Sequence, residues 1–308
     1  MKIRLGTRGS KLALIQAEAV SKKLQNLGCE VEIIKIKTKG DKIKDVPLSE
    51  IGGKGLFVKE LEKFLLKDEI DIAVHSLKDM LSNLPEGLKI GAVLEREDPR
   101  DVFISRDKAN IKKLPDNFKI GTSSLRRKVQ ILYHFPKYKI EPIRGNLDTR
   151  IRKLKEKLYD GIIVASAGVK RLNLENELNI QYLDFMLPAI NQGIIAVEVK
   201  EERKDLINIL SKINHLSSFY EAIAERSFLK HFGGGCQIPI AALAKVKDNF
   251  LTLKGAIFSL DAKRKVDGEI SGKVEEAEEL GKNLALKILS SGGWEILAEI
   301  KKRFGEKL

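Results

Sequence analysis

The sequence predicts an α/β protein: two α/β domains facing a cleft, followed by a smaller α+β C-terminal domain. Three observations carry this. Strand-like and helix-like segments alternate through the first two-thirds of the chain. The alternation restarts after "EREDPRDVFIS" (95–105), and near residue 214 it gives way to strands in succession. The expected units are 1–97 with 190–213, then 98–189, then 214–308.

In chain order, "KIRLGT" reads as a strand, followed by a helix from about Ser10 to Leu27. Ser10 suits the N-cap, and Leu12, Ile15, Ala19, Leu24 and Leu27 recur at helical spacing. "CEVEIIKIKT" alternates as a half-buried strand, "GLFVKELEKFLL" is an amphipathic helix, and "DIAVHSL" and "GLKIGAVL" are strands of a mostly parallel sheet. "FKIGTSSLRRKVQILYHF" and "KYKIEPIRGNLDTRIRKLKEKL" each read strand, turn, helix, and "DGIIVASAGVKRL" opens a third round. "MLPAINQGIIAVEVK" (186–200) carries a strand-like run that rejoins the first domain. Beyond it, "LSSFYEAIAERSFLKHF" is helical, and "PIAALAKV", "FLTLKGAIFSL" and "KRKVDGEISGKV" are antiparallel strands. "EEAEELGKNLALKILS" is a last amphipathic helix, continued by "WEILAEIKKRF".

A content of 43% hydrophobic and 32% charged residues describes a soluble globular protein, with no apolar run of membrane-spanning length. The N-terminal "MKIRLGTRGSKLAL" is unlike a signal peptide. Two cysteines cannot form a disulfide framework, which points to a reducing, cytoplasmic setting. The net charge of +13 is uneven: residues 119–157 hold twelve Lys/Arg against three acidic residues, a net +9. Such a field attracts anions, whether nucleic acid, a membrane surface or a small polyacid.

Three strand-to-helix turns carry groups suited to gripping anions: Arg8 in "GTRGSKL", Ser123, Ser124, Arg126 and Arg127 in "GTSSLRRK", and Arg144 and Arg150 in "IRGNLDTR". Such turns gather at the carboxyl edge of the strands, and arginine matches carboxylates in two-point contact. "AVHSLKDM" ends a buried strand in His75, Ser76, Lys78 and Asp79. Asp79 suits a general acid/base or the steadying of a cation; the same Lys–Asp pair also reads as a plain strand end. Ser76 and His75 point to opposite faces and make no nucleophilic pair. "EIGGKGLF" lacks the spacing of a phosphate-binding Walker loop. Gly52, Gly53 and Gly55 fit a lid with Lys54 and Lys59 reaching inward, or a surface loop. No metal-ligand spacing appears. In "HFGGGCQIP", Cys236 follows three glycines, where a small side chain in a turn is the plainest reading.

Taken in order, "GTRGSKLAL", "GGKGLFVKELE", "HSLKDM", "EREDPRDVFIS", "GTSSLRR", "IRGNLDTR", "LPAINQGIIAVE" and "GGGCQIPIAA" resemble the porphobilinogen deaminase (hydroxymethylbilane synthase) family, collinearly from about residue 3 to 245. The resemblance implies two periplasmic-binding-protein-like domains and a smaller third. It also implies the joining of four porphobilinogen units head to tail with release of ammonia, giving a linear tetrapyrrole. Growth starts on a covalent dipyrromethane cofactor, and "GGGCQIP" matches its thioether site, Cys236. Asp79 matches the catalytic aspartate, with Arg8, Arg150 and Lys78 at the reaction position. Lys78, Asp79, Ser123, Arg126, Arg127, Arg144 and Arg150 match the groups that hold cofactor and substrate carboxylates, with Arg171 beside them. Gly52 to Lys59 match a mobile lid. The family implies a monomer acting on a small molecule, without nucleic acid or membrane. Leu81 stands where many members have proline, and Asp148 where some have glycine.

Two other classes share parts of the pattern. A hinged two-domain binding protein has the scaffold but no need of Cys236 or a third domain. A nucleic-acid binder would use the basic segment, yet only 6% of residues are aromatic and few lie among the arginines as stacking platforms.

Overall fold

The computed structural model describes residues 1–37, 58–233 and 238–304. Among them the strands are gathered into three sheets, two of five strands and one of three. The first sheet runs β2 (Glu30–Ile36), β1 (Lys2–Arg8), β3 (Ile72–Ser76), β10 (Ile195–Lys200), β4 (Leu88–Val93). The second runs β7 (Lys139–Glu141), β6 (Lys119–Gly121), β8 (Gly161–Ala165), β5 (Asp101–Ser105), β9 (Asn179–Tyr182).

Both sheets are mixed, where the sequence pattern had implied mostly parallel pairing. In the first, β1 pairs parallel with β2 and β3, while β10 runs antiparallel to β3 and β4. In the second, β6 pairs parallel with β7 and β8, while β5 runs antiparallel to β8 and β9. The reversed strands are the ones that follow a crossing between sheets. Strand β5 follows the crossing at 94–100 and β10 the return at 183–194, and neither is joined to its neighbour by the helical crossover that enforces parallel pairing.

Ser10 caps the helix Lys11–Gln25 as its sequence foretold, accepting from the Ala13 amide. That helix and Lys204–Ser211 cover one face of the first sheet, burying Leu5, Ile72, Val74 and Val197 with Val20, Leu24, Leu206 and Leu210. On the other face Ala73 packs with Leu61 and Leu65 of the helix Lys59–Leu66. The period of two along "IAVHS" thus sends His75 to the Lys59–Leu66 face and Ser76 to the Lys11–Gln25 face.

The third sheet is an antiparallel meander: β11 (Ile240–Lys247), β12 (Phe250–Phe258) and β13 (Lys265–Lys273). Helices Leu216–Lys230 and Ala277–Ile288 pack on it through Ala224, Phe228, Leu280 and Leu284.

The two crossings touch each other. The Glu97 amide donates to the Gly193 carbonyl at 3.1 Å. Gly193 has φ +93°, and a Cβ there would collide with the Glu97 carbonyl oxygen, so only glycine fits. Arg171 Nη2 braces the same point, donating to the Gly193 carbonyl at 2.6 Å.

Candidate active site

At the end of β3 the chain passes through one 3-10 turn, Leu77–Asp79. Leu77 is buried and its amide donates to the Ile194 carbonyl at 3.0 Å, which ties the turn to the return crossing. Lys78 is left half-buried and Asp79 exposed. Strand β1 is the parallel neighbour of β3, so half-buried Arg8 leaves the same sheet edge as this turn.

From the second sheet, Ser124 caps the helix Leu125–His134 by accepting from the Arg127 amide. Arg126 and Arg127 lie in its first turn and are both 6% exposed. They converge on Asp101, the first residue of β5, which is fully buried. Arg126 Nη1 donates to Asp101 Oδ2 at 2.7 Å; Arg127 Nε and Nη2 donate to Oδ1 at 3.0 and 2.8 Å. Burial would raise the Asp101 carboxyl, but the two guanidinium groups outweigh it and hold it well below the usual carboxylate range. Gln192 Nε2 adds a bond to Asp101 Oδ1 at 2.9 Å and one to the Pro99 carbonyl at 2.7 Å. The other end of that amide accepts from Lys78 Nζ at 3.4 Å. A continuous polar chain therefore links the Lys78–Asp79 turn of the first sheet to the arginine pair of the second.

The turn "IRGNLDTR" completes the wall. Gly145 takes φ +108°, where a Cβ would press into Thr149, and its carbonyl accepts from Arg150 Nε at 2.8 Å. Ser123 Oγ donates to the Ile143 carbonyl at 2.7 Å, pinning this turn to the "GTSS" turn. Arg144 and Arg150 are both half-buried.

The charges crowd. Burial pushes the Lys78 ammonium down to about 8; Arg127 and Arg126 push the same way, against Asp79 and Asp101. Burial, then Arg127 and Arg144, push Arg150 down to about 10, with Asp79 the opposing charge. Cations that depress one another around a single exposed carboxylate make a place where a polyanion lowers the energy of every group.

The structure thus brings Lys78, Asp79, Arg126, Arg127, Arg144 and Arg150 into one electrostatic neighbourhood. Arg171 is spent on the crossing. Lys59 is exposed at the start of its helix. Gly52, Gly53, Lys54, Gly55 and Cys236 lie outside the described residues, whose flanks Phe232 and Ile238 both bury in the third core with Ile190 of the return crossing.

Sequence reasoning missed Asp101 and Gln192. Asp101 carried a signal, an acidic side chain opening an otherwise apolar strand; Gln192 carried none. It also missed a buried cluster on the far face of β3: His75 Nε2 and Glu198 Oε2 at 3.0 Å, with Glu62 4% exposed beside them. Among the described residues no helix is long and apolar enough to cross a membrane.

Two family models match successive parts of the chain. A family model described as "Porphobilinogen deaminase, dipyromethane cofactor binding domain" matches residues 3–208, and "Porphobilinogen deaminase, C-terminal domain" matches 219–290. A protein of Syntrophomonas wolfei named porphobilinogen deaminase is 53% identical over 304 residues, covering 97% of this chain and 99% of its own. Proteins of the same name from Geobacter sulfurreducens and Carboxydothermus hydrogenoformans are each 48% identical, covering 98% and 99% of this chain and 96% and 99% of their own. Among solved structures, a probable amino-acid ABC transporter extracellular-binding protein from Bacillus subtilis aligns with TM-score 0.44 at 12% identity, over 69% of this chain and 90% of that one.

Proposed function

The chain belongs to the porphobilinogen deaminase family, and we propose that the cationic cleft around Asp79 is where its chemistry takes place. The activity is that of the family: four porphobilinogen units are condensed head to tail on a dipyrromethane primer, with ammonia released at each step, to give hydroxymethylbilane. What supports the siting is one observation: cations are gathered about one exposed carboxylate, with Lys78 and Arg150 each pushed down first by burial and then by neighbouring arginines.

Primer and substrate both carry acetate and propionate side chains, and the residues present fit such a polyacid. Arg126, Arg127, Arg144 and Arg150, with Lys78 and Ser123, would hold the carboxylates, and Arg8 approaches from the neighbouring strand end. Cys236 is the proposed thioether site. When bound, the primer supplies the pyrrole α-carbon at which the chain grows.

The chain's own residues supply binding and charge. Asp79 accepts hydrogen bonds from pyrrole N–H groups and stabilises positive charge on the incoming substrate as its C–N bond breaks and ammonia departs. It then takes the proton displaced when the new C–C bond forms, which restores aromaticity. Lys78 balances the Asp79 charge between turnovers.

The reading includes three units, 1–97 with 190–213, 98–189 and 214–308, a division that the strand membership of the three sheets supports. It includes a lid over Gly52 to Lys59. It also includes a monomer in the cytoplasm acting on a small molecule, with neither nucleic acid nor membrane as partner; the two-cysteine composition supports the compartment. The test is the intact mass of the denatured protein beside a Cys236→Ser variant. Excess mass equal to two pyrrole units less their ammonia, absent from the variant, is expected. If both show the bare polypeptide even after incubation with porphobilinogen, the assignment of Cys236 fails.

A further inference from the structure

Asp101 and Gln192 touch neither the solvent-facing surface nor the exposed carboxylate, yet the polar chain from Lys78 to the arginine pair passes through them. We propose that Asp101, acting through Gln192, is a positioning residue for the condensation: it sets the arginine pair in one wall and the reach of Lys78 toward Asp79 from the other. The inference rests on the placement of the site argued above and assigns its support.

Asp101 is fully buried and receives four hydrogen bonds from three side chains. One carboxylate between two guanidinium groups leaves a net positive charge on the wall, which is what an anionic ligand needs. The arrangement also fixes where that charge sits. Arg127 is held at three nitrogens, its Nη1 donating to the Ile163 carbonyl at 3.1 Å. Arg126 Nη1 is shared with the Leu187 carbonyl at 2.8 Å. Neither guanidinium can swing without leaving a buried charge behind.

Gln192 carries the constraint across. Its Nε2 faces two acceptors, Asp101 Oδ1 and the Pro99 carbonyl, so the amide can be oriented only with its oxygen toward Lys78. Its own carbonyl accepts from Arg96 Nε at 2.9 Å, which immobilises the backbone at that point. Asp101 stands at the end of one crossing and Gln192 within the other. The single carboxylate therefore locks both crossings and, through one amide, the ammonium beside Asp79. A purely structural ion pair would stabilise the fold without affecting Lys78.

The test uses Gln192→Met, which keeps volume and removes both the acceptor for Lys78 and the donor to Asp101, and Asp101→Asn, which keeps shape and removes charge. Four readouts are taken: melting temperature, primer content by intact mass, kcat and KM for porphobilinogen, and the Lys78 titration midpoint by NMR of 13C-labelled lysine. Gln192→Met is expected to fold and carry the primer, with kcat reduced about tenfold or more and KM changed less than about threefold. That variant keeps the bonds from Arg126 and Arg127 to Asp101, while Lys78 loses its acceptor and Asp101 and the Pro99 carbonyl each lose one donor. Asp101→Asn is expected to raise KM as well, because the wall itself is loosened. In both, the Lys78 midpoint moves down by about half a unit or more, since each change removes a group that favours the ammonium. If Asp101→Asn does not fold, Gln192→Met decides alone. A folded, primer-bearing Gln192→Met with wild-type kcat and an unmoved Lys78 midpoint overturns the proposal. Because the wild type and its primer are measured alongside, that result leaves the siting of the reaction standing.

Discussion

His75 Nε2 lies 3.0 Å from Glu198 Oε2 across the neighbouring strands β3 and β10, with 4% and 0% of the two side chains exposed. Glu62 approaches the pair from the helix Lys59–Leu66. Glu62 Oε1 and Glu198 Oε1 are both buried without a hydrogen-bond partner among the described residues.

Burial, then Glu198, push the Glu62 carboxyl up from 4.5 to about 7, against His75 and Lys59. The folded chain therefore holds a proton that the unfolded chain has released between those pH values. This stabilisation is fully present below about 4.5 and is lost as pH rises through about 7. At about 1.4 kcal/mol per unit, the loss is on the order of 3 kcal/mol. Glu62→Gln is expected to flatten that fall and to be the more stable protein at pH 8, by urea unfolding across the pH range. An unchanged pH dependence would rule out Glu62 as its source.

Lys78 is expected to titrate near pH 8 in the apoprotein. The carboxylates of a bound primer favour its ammonium, so in the loaded protein the midpoint is expected to rise. The NMR titration that reads Lys78 distinguishes the two forms. The same midpoint in both would mean that Lys78 does not face the primer.

Asp79→Asn is expected to retain fold and primer while losing turnover by about 10² to 10⁴, the range for removal of a group that moves protons and stabilises developing charge. Single-turnover kinetics on primer-bearing protein checks it; turnover within threefold of wild type would remove Asp79 from the chemistry.

Arg96 Nη1 is 2.5 Å from Glu225 Oε1, with side chains 7% and 0% exposed, and joins the first crossing to the third domain's helix Leu216–Lys230. Glu225 also accepts from the Asn191 and Ala244 amides. Arg96→Met leaves that buried carboxylate without its cation, and a loss of about 3–5 kcal/mol is expected in urea unfolding. The double variant Arg96→Met/Glu225→Gln is expected to cost less than the sum of its parts.

Gly193→Ala forces a positive φ on alanine and drives its Cβ into the Glu97 carbonyl. A loss of at least about 2 kcal/mol is expected. Thermal unfolding beside Gly28→Ala, where φ is also positive but nothing lies within reach of a Cβ, separates collision from backbone strain.

Much of this was legible locally. Ser10 announces its helix because a cap acts within three residues. The strand "IAVHS" announces that His75 and Ser76 part company, and they do: His75 meets Glu198, while Ser76 Oγ bonds Gln16. The arginine-bearing turns were visible as turns. What local pattern could not carry was pairing at long range. Asp101 and Gln192 are 91 residues apart, and Lys78 and Gln192 are 114 apart, so nothing in either neighbourhood names the partner. The short polar strand β9 escaped for a related reason: "NIQY" has strand character only because β5 lies beside it.

The double crossing at 94–100 and 183–194 has a mechanical consequence. Two chain segments side by side, joined at Glu97 and Gly193, are placed as a pin between two leaves would be: a turn about them would cost less than sliding or twisting. Points near a pin travel little when the leaves turn, and points far from it travel most. Gln192 lies at the pin and Lys78 is bonded to it, so the reacting corner keeps its spacing at any opening angle. Any such turning would widen the outer reaches of the cleft most, so a lengthening product would find its room at the rim rather than at the site of bond formation.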